Sequence, residues 1–462
     1  MPPKQPQREA KPLEKPLRIA IIHPNFEGMS GSTRLFLNAA LSFEAKGHAT
    51  TMFTIDYNLK KECFSDEHMV NIVSINSHFP SSIGGYCRQV FSFLKCILLV
   101  VLQLTVLLSH DIIICDQFPT AVILLFLIMK LMFMKADKKP TLVYYCHYPE
   151  FAYLGHLQKG ILVRLYRGLV NIIEKSGIQC VDILYANSNF SKNAIMKHYP
   201  QCRDVDVLYP GISQPISSDV ASHSFFKKNP ICDIVKNTNC IVSINRFSIH
   251  KSLERALVLT SELKKRNVSF TAVIAGGGND IEIENLKPLH DLVALCKSYS
   301  LSFTVAHANE IVFSSQKQPK DGADVLFIVN ATNEQKSFFL SHSKALLYTA
   351  SGEHFGMGIA EGMLSHCLPV AMASGGPLEI IEHMRSGYLM PQPADGESFS
   401  PPADLVDLLA RLYDSNLGVE EIPQDLKKIV DNGFTRAKSL YTIDIFTKTI
   451  VTHYYESRAK IN

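Results

Sequence analysis

The chain has 462 residues, enough for two or three domains with sizeable cores. Its hydrophobic content of 47% is high for a soluble protein, but it is not membrane-like throughout, and a net charge of +3 is too small to indicate a nucleic-acid partner. The 11 cysteines include no C-x-x-C pair, which fits a reducing compartment and gives no framework for a metal site. Residues 1–16 are rich in Pro and Lys and predict a disordered tail rather than a signal peptide.

The first half of the chain alternates apolar strands with helices. Residues 17–23 predict a buried strand, a loop with Gly28 and Gly31 follows, and a helix around residues 37–41 leads to a second strand at 49–55. This order is a βαβ unit. Further strands are predicted at 111–115, 140–146, 182–186 and 204–208.

A second alternating pattern begins near residue 239. Strands are predicted at 239–245 and 270–275, and helices are expected to return after Leu389. The sequence therefore predicts an α/β fold of two doubly wound halves joined near residues 212–235, with ligands in the cleft between them. Residues 305–324 are polar and aperiodic, which predicts an inserted surface loop.

Two long apolar runs in the first half raise the question of a membrane. Residues 90–108 are almost wholly apolar around Lys95, and residues 121–134 form a shorter run. A membrane-spanning helix needs about 20 apolar residues, and a span here would separate strands of one sheet. The sequence therefore favours helices that dip into one face of a bilayer, with the lysines between 130 and 139 near lipid headgroups. Buried core helices are the alternative.

Two glutamates flank a glycine turn after an apolar run at residues 345–348. Glu353 and Glu361 are separated by Gly356 and Gly358. A continuous helix between them would rise about 12 Å, whereas the two carboxylates of a retaining glycosidase lie about 5 Å apart. The spacing therefore predicts a loop that carries Glu353 and a helix that begins near Gly358, with Glu361 in its early turns. Such a helix start attracts an anion; two solvated surface acids are the alternative.

Further polar residues follow the predicted strands. Arg246 and Lys251 follow the strand predicted at 239–245. Two cations at the carboxyl end of a strand suit a diphosphate, and ordinary surface charge is the alternative. The glycine turn at Gly375–Gly376 belongs to the same half. In the first half, His147 stands just past a strand, where it could contact a reacting sugar or share in proton transfer. A structural histidine is the alternative. Asp116 also ends a strand and could face the cleft.

Together these residues resemble the donor-site signature of the retaining glycosyltransferases of family 4, which have the GT-B fold. The signature consists of Arg246-x4-Lys251, Glu353-x7-Glu361 and the Gly-Gly-Pro-Leu-Glu string at 375–379. Further strings are similar to the eukaryotic mannosyltransferases of dolichol-linked oligosaccharide assembly. These include Cys-Asp-Gln at 115–117, Tyr-Cys-His-Tyr-Pro at 145–149 and Leu-Tyr-Thr-Ala-Ser-Gly-Glu-His-Phe-Gly at 347–356.

The resemblance implies a retaining mannosyltransferase at the cytoplasmic face of the endoplasmic reticulum membrane. Such an enzyme takes mannose from GDP-mannose and adds an α-1,3 and then an α-1,6 mannose to Man-GlcNAc2-diphosphodolichol, an early step of N-glycosylation. The resemblance implies no metal or other cofactor and no nucleic acid. It implies a dolichol-diphosphate-linked oligosaccharide, a membrane surface and other early mannosyltransferases as partners.

The resemblance also implies a role for each site residue. Glu353 would lie against the donor mannose and His147 would face the transferred sugar, both as catalytic residues. The implied donor-binding set is Arg246, Lys251, Phe355, Gly356, Met357, Glu361, Gly375 and Gly376, with Gly28, Gly31 and Asp116 as other cleft candidates. The implied domains are an acceptor and membrane-facing domain at 17–225, a nucleotide-sugar domain at 226–440 and, at 441–462, a helix that crosses back to the first domain.

Two other functions stay open at this stage. The shared donor signature also fits another lipid-linked sugar transferase of the same fold, such as a later dolichol mannosyltransferase or a phosphatidylinositol GlcNAc-transferase. A membrane-bound scaffold that keeps the fold without turnover is the non-enzymatic alternative. The chain also departs from its relatives after the first strand, where the usual Gly-Gly-Ala/Ser-Glu string is replaced by Glu-Gly-Met-Ser-Gly-Ser-Thr-Arg at 27–34.

Overall fold

Two compact units of sheet and helix make up the part of the chain that the structure describes. The computed structural model describes residues 15–26, 30–57, 70–75, 88–117, 119–149, 160–202, 204–213, 229–277, 283, 286–315, 323–394, 396–414, 416–418 and 421–460. The first unit comprises the described residues up to Ala186, Ala194–Asp206 and those from Thr447 onward; the second comprises Asn187–Asn193 and Val207–Phe446.

A seven-stranded sheet forms the centre of the first unit. Its strands are β1 (Arg18–Phe26), β2 (Ala49–Tyr57), β3 (Asn71–Ser74), β4 (Ile112–Asp116), β5 (Thr141–Cys146), β6 (Ile183–Ala186) and β7 (Asp206–Val207). Their order is β3-β2-β1-β4-β5-β6-β7, and the pairs from β3 to β6 are parallel. The chain order reverses between β1 and β4, which is the topological switch point where such sheets bind ligands.

Helices cover the first sheet. They are α1 (Gly31–Ala45), α2 (Arg88–Leu102), α3 (Leu104–Leu107), α4 (Pro119–Leu131) and α5 (Ile161–Gln179), followed by α6 (Asn189–His198), within which the unit boundary falls. The expected loop at Gly31 is wrong, because Ser30 caps the helix by accepting the amide of Thr33 and Gly31 is the first helical residue. Gly28 lies outside the described residues.

The two apolar runs form α2 to α4, and each of the two longer helices has a buried and an exposed apolar side. On α2, Cys96 and Leu99 are buried whereas Val101 is exposed; on α4, Leu125 is buried whereas Leu131 is exposed. Within the described ranges, no helix is both long enough and apolar enough to cross a bilayer.

An eight-stranded sheet forms the centre of the second unit. Its strands are β8 (Cys240–Ile244), β9 (Thr271–Gly276), β10 (Phe303–His307), β11 (Glu310–Ser314), β12 (Val325–Val329), β13 (Ser343–Tyr348), β14 (Leu368–Met372) and β15 (Tyr388–Met390). Their order is β11-β10-β12-β9-β8-β13-β14-β15, and only the edge pair β10–β11 is antiparallel among the pairs that the structure describes. Here the chain order reverses between β8 and β13.

Two expectations for the second half are wrong. Residues 305–314 are not a surface loop, because Val305 and Ala306 are buried in β10 and the next strand turns back at the sheet edge; residues 316–322 of the predicted insert lie outside the described residues. Leu389 belongs to the edge strand β15 rather than to a helix. The strands β11 and β15 form the two edges of the sheet, where the periodic signal is weakest.

Helices precede, connect and follow these strands along the chain. They are α7 (Pro230–Asn237), α8 (Glu254–Lys265), α9 (Lys287–Ser298), α10 (Asn333–Ser341), α11 (Met357–Leu364), α12 (Pro377–Ile380), α13 (Ala403–Leu412), α14 (Gln424–Leu440) and α15 (Ile443–Ala459), the last of which contributes residues from Thr447 onward to the first unit. The helical spacing read around Leu253–Thr260 is confirmed, since Ala256, Leu257 and Thr260 are buried in α8.

Candidate active site

Glu353 lies in the loop between β13 and α11, on the carboxyl side of the switch point of the second sheet. Its Oε2 accepts a hydrogen bond of 2.9 Å from the hydroxyl of Tyr348, the last residue of β13. The same oxygen forms an ion pair with Nζ of Lys251, which also lies over the Tyr348 ring at 5.6 Å. The side chains of Lys251 and Glu353 are 18% and 22% exposed, so the pair is shielded but reachable from solvent.

The surroundings of Glu353 keep its carboxyl ionised. Burial alone would raise the pKa of this carboxyl, but the ammonium of Lys251, the hydroxyl of Tyr348 and the nearby His354 outweigh burial and hold the pKa below its usual range. In return, burial and the carboxylate raise the pKa of Tyr348 well above its ordinary value, so Tyr348 donates its proton in the hydrogen bond. The site therefore presents a carboxylate with an attached cation.

The second glycine turn positions the loop that carries Glu353. Residues 353 and 375 pair as an isolated parallel bridge, and the amide of Gly376 donates to the carbonyl of Glu353 at 2.7 Å. A Cβ on Gly375 would lie 2.3 Å from that carbonyl oxygen, and one on Gly376 would lie 2.3 Å from Cα of Phe355. Both glycines are therefore required for the close approach of the two loops, and the Gly376 amide is used by Glu353.

Helix α11 begins directly after this loop, at Met357 rather than at the expected Gly358. Gly356 precedes it with a φ of 109°, a conformation that favours glycine. Within the described part of the chain, the amides of Gly356, Met357 and Gly358 donate to no other group. These are the unsatisfied amides of a helix start, which attract an anion.

Several residues that the sequence analysis did not single out support the loop that carries Glu353. Arg255, in the first turn of α8, donates to the carbonyl of Thr349 at 3.1 Å and to the hydroxyl of Ser351 at 2.7 Å. The hydroxyl of Thr349 donates to the carbonyl of Lys251 at 2.8 Å, which ties the cation to the end of β13. Tyr348 was read only as part of an apolar strand. Arg255 lies outside the sequence motifs, and although Tyr348, Thr349 and Ser351 belong to the string at 347–356, the string does not indicate these contacts.

The other expected donor-site residues take different positions. Arg246 is exposed just after β8, and the structure gives it no ion-pair partner among the described residues. Glu361 is half-buried in the second turn of α11. The side chain of Phe355 is buried and packs on Tyr209 and Tyr441, so only its backbone remains for a ligand.

The acid that ends the Gly-Gly-Pro-Leu-Glu string has a structural role. The carboxylate of Glu379 accepts hydrogen bonds from the amides of Asn189 and Phe190 at 2.8 and 2.7 Å. A carboxylate at the first turn of a helix satisfies its free amides. Glu379 thus caps α6.

The first unit carries a second cluster at its own switch point. Asp116 ends β4, with His23 from β1 on one side and His147 after β5 on the other. Nδ1 of His23 lies 2.7 Å from one carboxylate oxygen, and Nε2 of His147 lies 2.8 Å from the other, although the latter pair is not aligned for a straight hydrogen bond. Asp116 and His147 were both expected near a ligand; His23 was read only as the end of a strand.

Asp116 is completely buried, so its charge depends on the two imidazoles. Burial alone would raise the pKa of this carboxyl, but His147 and His23 outweigh burial and lower it. The rings of Tyr145 and Phe36 form edge-to-face contacts with the His147 ring at centroid distances of 5.0 and 6.3 Å.

The residues that the structure describes contain no group of three or more His, Cys, Asp or Glu side chains placed to hold a metal ion.

Comparison with known proteins links both units to sugar transfer. Residues 29–214 match the family model described as Glycosyltransferase Family 4, and residues 311–412 match Glycosyl transferases group 1. The chain is 28% identical to the α-1,3/1,6-mannosyltransferase of Schizosaccharomyces pombe, over 82% of this chain and 72% of the relative. It is 27% identical to the enzyme of the same name from Candida glabrata, over 97% of this chain and 93% of the relative.

Solved structures share the fold. A crystal structure of HepE from Anabaena in complex with UDP and glucose matches with a TM-score of 0.62 at 15% identity, covering 95% of this chain and 99% of that one. At this identity the likeness shows the fold alone.

Proposed function

We propose a reaction for this chain from the premise that it belongs to the glycosyltransferases of the GT-B fold, with a family 4 domain followed by a group 1 domain. The chain transfers mannose from GDP-mannose to Man-GlcNAc2-diphosphodolichol, first in α-1,3 and then in α-1,6 linkage. The mannosyl linkages are supported by relatives named α-1,3/1,6-mannosyltransferases that align with more than 80% of the chain. The donor nucleotide and the lipid acceptor are our extension from the sequence strings.

The observation that carries an enzymatic role is the ionised Glu353 beside Lys251 and a helix start with open amides. In the proposed reaction, the diphosphate of GDP-mannose lies against the amides of Gly356–Gly358 and the guanidinium of Arg246. Lys251 keeps two further N–H donors while it holds Glu353, so it can bridge the carboxylate and the phosphate. These preorganised charges stabilise the departing GDP more in the transition state than in the ground state.

We infer a stereochemical course in which Glu353 forms no covalent bond to the sugar. The C1–O bond to the β-phosphate breaks, the acceptor oxygen forms a new bond to C1 on the same face, and the acceptor proton passes to the leaving phosphate oxygen. Glu353 stabilises the positive charge that develops on the sugar, and Glu361 binds the ribose hydroxyls. We assign His147 to the transferred sugar. Isolation of a mannosyl adduct on Glu353 from a stalled reaction would contradict this course.

Exposed apolar side chains on three helices of the first unit support a membrane partner. They are Leu94, Ile97, Val101 and Leu102 on α2, Leu127 and Leu131 on α4, and Leu165, Leu169 and Ile172 on α5. The helix α4 packs against both α2 and α5. On α5 the three residues are four and three positions apart, which places them on one helical face. A face of this kind suits the interface of a bilayer, and we assign it to the cytoplasmic leaflet of the endoplasmic reticulum.

Sedimentation with phosphatidylcholine vesicles tests the membrane face. Replacement of Leu165 and Ile172 by Asp should lower the bound fraction severalfold, because each change places a charge in the interface. Leu440→Asp changes an exposed leucine of the second unit and should leave binding unaltered. Equal losses in both variants would remove the assignment.

A panel of donors and lipid acceptors tests the reaction itself. The purified chain in vesicles should transfer mannose from GDP-mannose to the one-mannose lipid, and it should use neither UDP-GlcNAc with phosphatidylinositol nor mannose-rich later dolichol acceptors at a comparable rate. Preference for one of those acceptors would replace the proposed substrate with the corresponding alternative. Binding of GDP without transfer to any acceptor would favour a scaffold.

A further inference from the structure

A chain of polar contacts joins the cluster at the first switch point to the start of α1. The outer ring nitrogen of His23, Nε2, lies 3.2 Å from Oγ1 of Thr33. That hydroxyl lies 2.7 Å from Oγ of Ser30, the residue that caps α1. Oγ of Ser30 is also 2.9 Å from Oγ of Ser32, which accepts a hydrogen bond of 3.2 Å from Nε2 of the Gln117 side chain. The contacts thus run from one histidine to a helix cap.

The chemistry of these groups fixes which of them donates. The ionised Asp116 has no hydrogen to give, so Nδ1–H of His23 donates to it; in a neutral His23 ring, Nε2 then accepts from the hydroxyl of Thr33. Two lone pairs 2.8 Å apart would repel each other, so Nε2 of His147 must carry a hydrogen where it meets Asp116. In the neutral ring of His147 the lone pair is then on Nδ1. Asp116 therefore selects the tautomer of His147.

Burial separates the roles of the three residues. The side chains of His23 and Asp116 are 2% and 0% exposed, whereas that of His147 is 23% exposed. A substrate can therefore reach His147 but not the two residues behind it. The Phe36 ring packs against both imidazoles, with ring centroids 6.1 Å apart for His23 and 6.3 Å apart for His147. The two histidines therefore contact the same aromatic side chain.

We propose that His23 is a positioning residue for the transfer reaction. By donating to Asp116 it fixes the carboxylate in one rotamer and keeps it ionised, and Asp116 in turn holds the His147 ring in one orientation with its lone pair on Nδ1. His147 then accepts a hydrogen bond from a hydroxyl of the transferred sugar. The inference rests on the proposed function, because it takes His147 to contact that sugar.

Two amide variants separate positioning from packing. In His23→Asn the amide nitrogen replaces Nδ1 and keeps the donor to Asp116; in His23→Gln the amide reaches the position of Nε2 and keeps only the contact with Thr33. We expect His23→Asn to retain kcat within about threefold, and His23→Gln to lower kcat by on the order of tenfold to a hundredfold, the usual effect of losing a residue that orients a functional imidazole. KM for GDP-mannose should change little in either variant.

A packing role predicts the opposite order. Asn leaves a larger cavity than Gln, so a residue that only filled space would be harmed more by His23→Asn. His48→Gln is the matched control. His48 is also buried, and its Nδ1 accepts a hydrogen bond from the backbone amide of Leu17. It lies just before β2, at the opposite end of the sheet. This change should lower the unfolding temperature without lowering kcat. Activity in His23→Gln that equals or exceeds that of His23→Asn would overturn the inference.

The tautomer can be read without any activity. In 15N-histidine NMR spectra of the whole chain, His147 should show the Nε2–H form in the wild type and in His23→Asn, and a mixture of tautomers in His23→Gln. An identical His147 tautomer in both variants would overturn the inference even if the chain proved inactive. Failure of wild-type transfer alone would instead count against the proposed function, so the two failures are distinguishable.

Discussion

The two sheets place a carboxylate at the same topological position and surround it differently. At the first switch point, Asp116 is completely buried and its partners are two imidazoles. At the second, Glu353 is partly exposed and its partners are an ammonium and a phenol, beside the open amides of a helix start. In both, the partners outweigh burial and lower the pKa of the acid.

This difference separates two uses of an ionised acid. A carboxylate that solvent cannot reach acts through the side chains that it orients, whereas one that remains accessible beside a cation can meet a ligand directly. The fold alone does not decide between them, because the strand order reverses in the same way in both sheets. The flanking residues decide.

The largest expected effect is on activity at the second switch point. Glu353→Gln keeps the shape of the side chain but removes the charge that stabilises the sugar in the transition state, so transfer should fall about a hundredfold to a thousandfold. Stability should change little, and GDP should still bind. Single-turnover transfer and GDP titration measure both, with Glu397→Gln as an exposed carboxylate control. Loss of GDP binding together with transfer would mean that Glu353 belongs to the diphosphate site.

The same change at the first switch point should act mainly on stability. Asp116→Asn leaves two imidazoles around a neutral amide in a fully buried position, which should cost about 3 kcal/mol of unfolding free energy, the usual penalty for breaking a buried charged pair. Denaturant unfolding measures it. A stability loss no greater than that of Glu353→Gln would remove the distinction between the two acids.

The pH dependence of activity at the second switch point should depend on Lys251 and not on Arg246. Without the ammonium, burial dominates, so Lys251→Met should raise the pKa of Glu353 and move the acid limb of kcat/KM to higher pH, with an activity loss on the order of tenfold to a hundredfold. Arg246→Met should weaken donor binding without moving that limb. An equal displacement in both variants would show that the Lys251 contact does not control Glu353.

The lowered pKa of Glu353 also determines how the stability of the fold changes with pH. A carboxyl with a lowered pKa in the folded state stabilises the fold above its unfolded pKa of about 4.3, and the contribution disappears as the pH falls through the folded value. Stability of the wild type should therefore decrease below about pH 4 more steeply than that of Lys251→Met. Acid unfolding curves of the two proteins provide the comparison.

The smallest effect is expected for Tyr348. Tyr348→Phe removes one hydrogen bond to Glu353 and leaves the cation in place, so kcat should fall about fivefold, which corresponds to about 1 kcal/mol. Steady-state kinetics measure the change. A loss as large as that of Lys251→Met would mean that the phenol, rather than the ammonium, maintains the carboxylate.

The sequence predicted the parts of the molecule that repeat a local pattern. The two doubly wound sheets follow from buried apolar strands that alternate with amphipathic helices, and the helix after Glu353 follows from its glycines. The edge strand at 310–314 was missed because its residues are mostly exposed, so burial imposes no clear period on it. His23, Tyr348 and Arg255 were missed for a different reason: each acts through residues distant in sequence, and no spacing records such a contact.

Analysis of the product linkages tests the proposed reaction. The purified chain is incubated in vesicles with GDP-mannose and Man-GlcNAc2-diphosphodolichol, and the released glycan is digested with linkage-specific α-mannosidases. We expect a product with two added mannoses, one α-1,3-linked and one α-1,6-linked, from the wild type, and about a hundredfold to a thousandfold slower formation of that product by Glu353→Gln at the same protein concentration. A β-linked product, or undiminished product from Glu353→Gln, would contradict the proposed reaction.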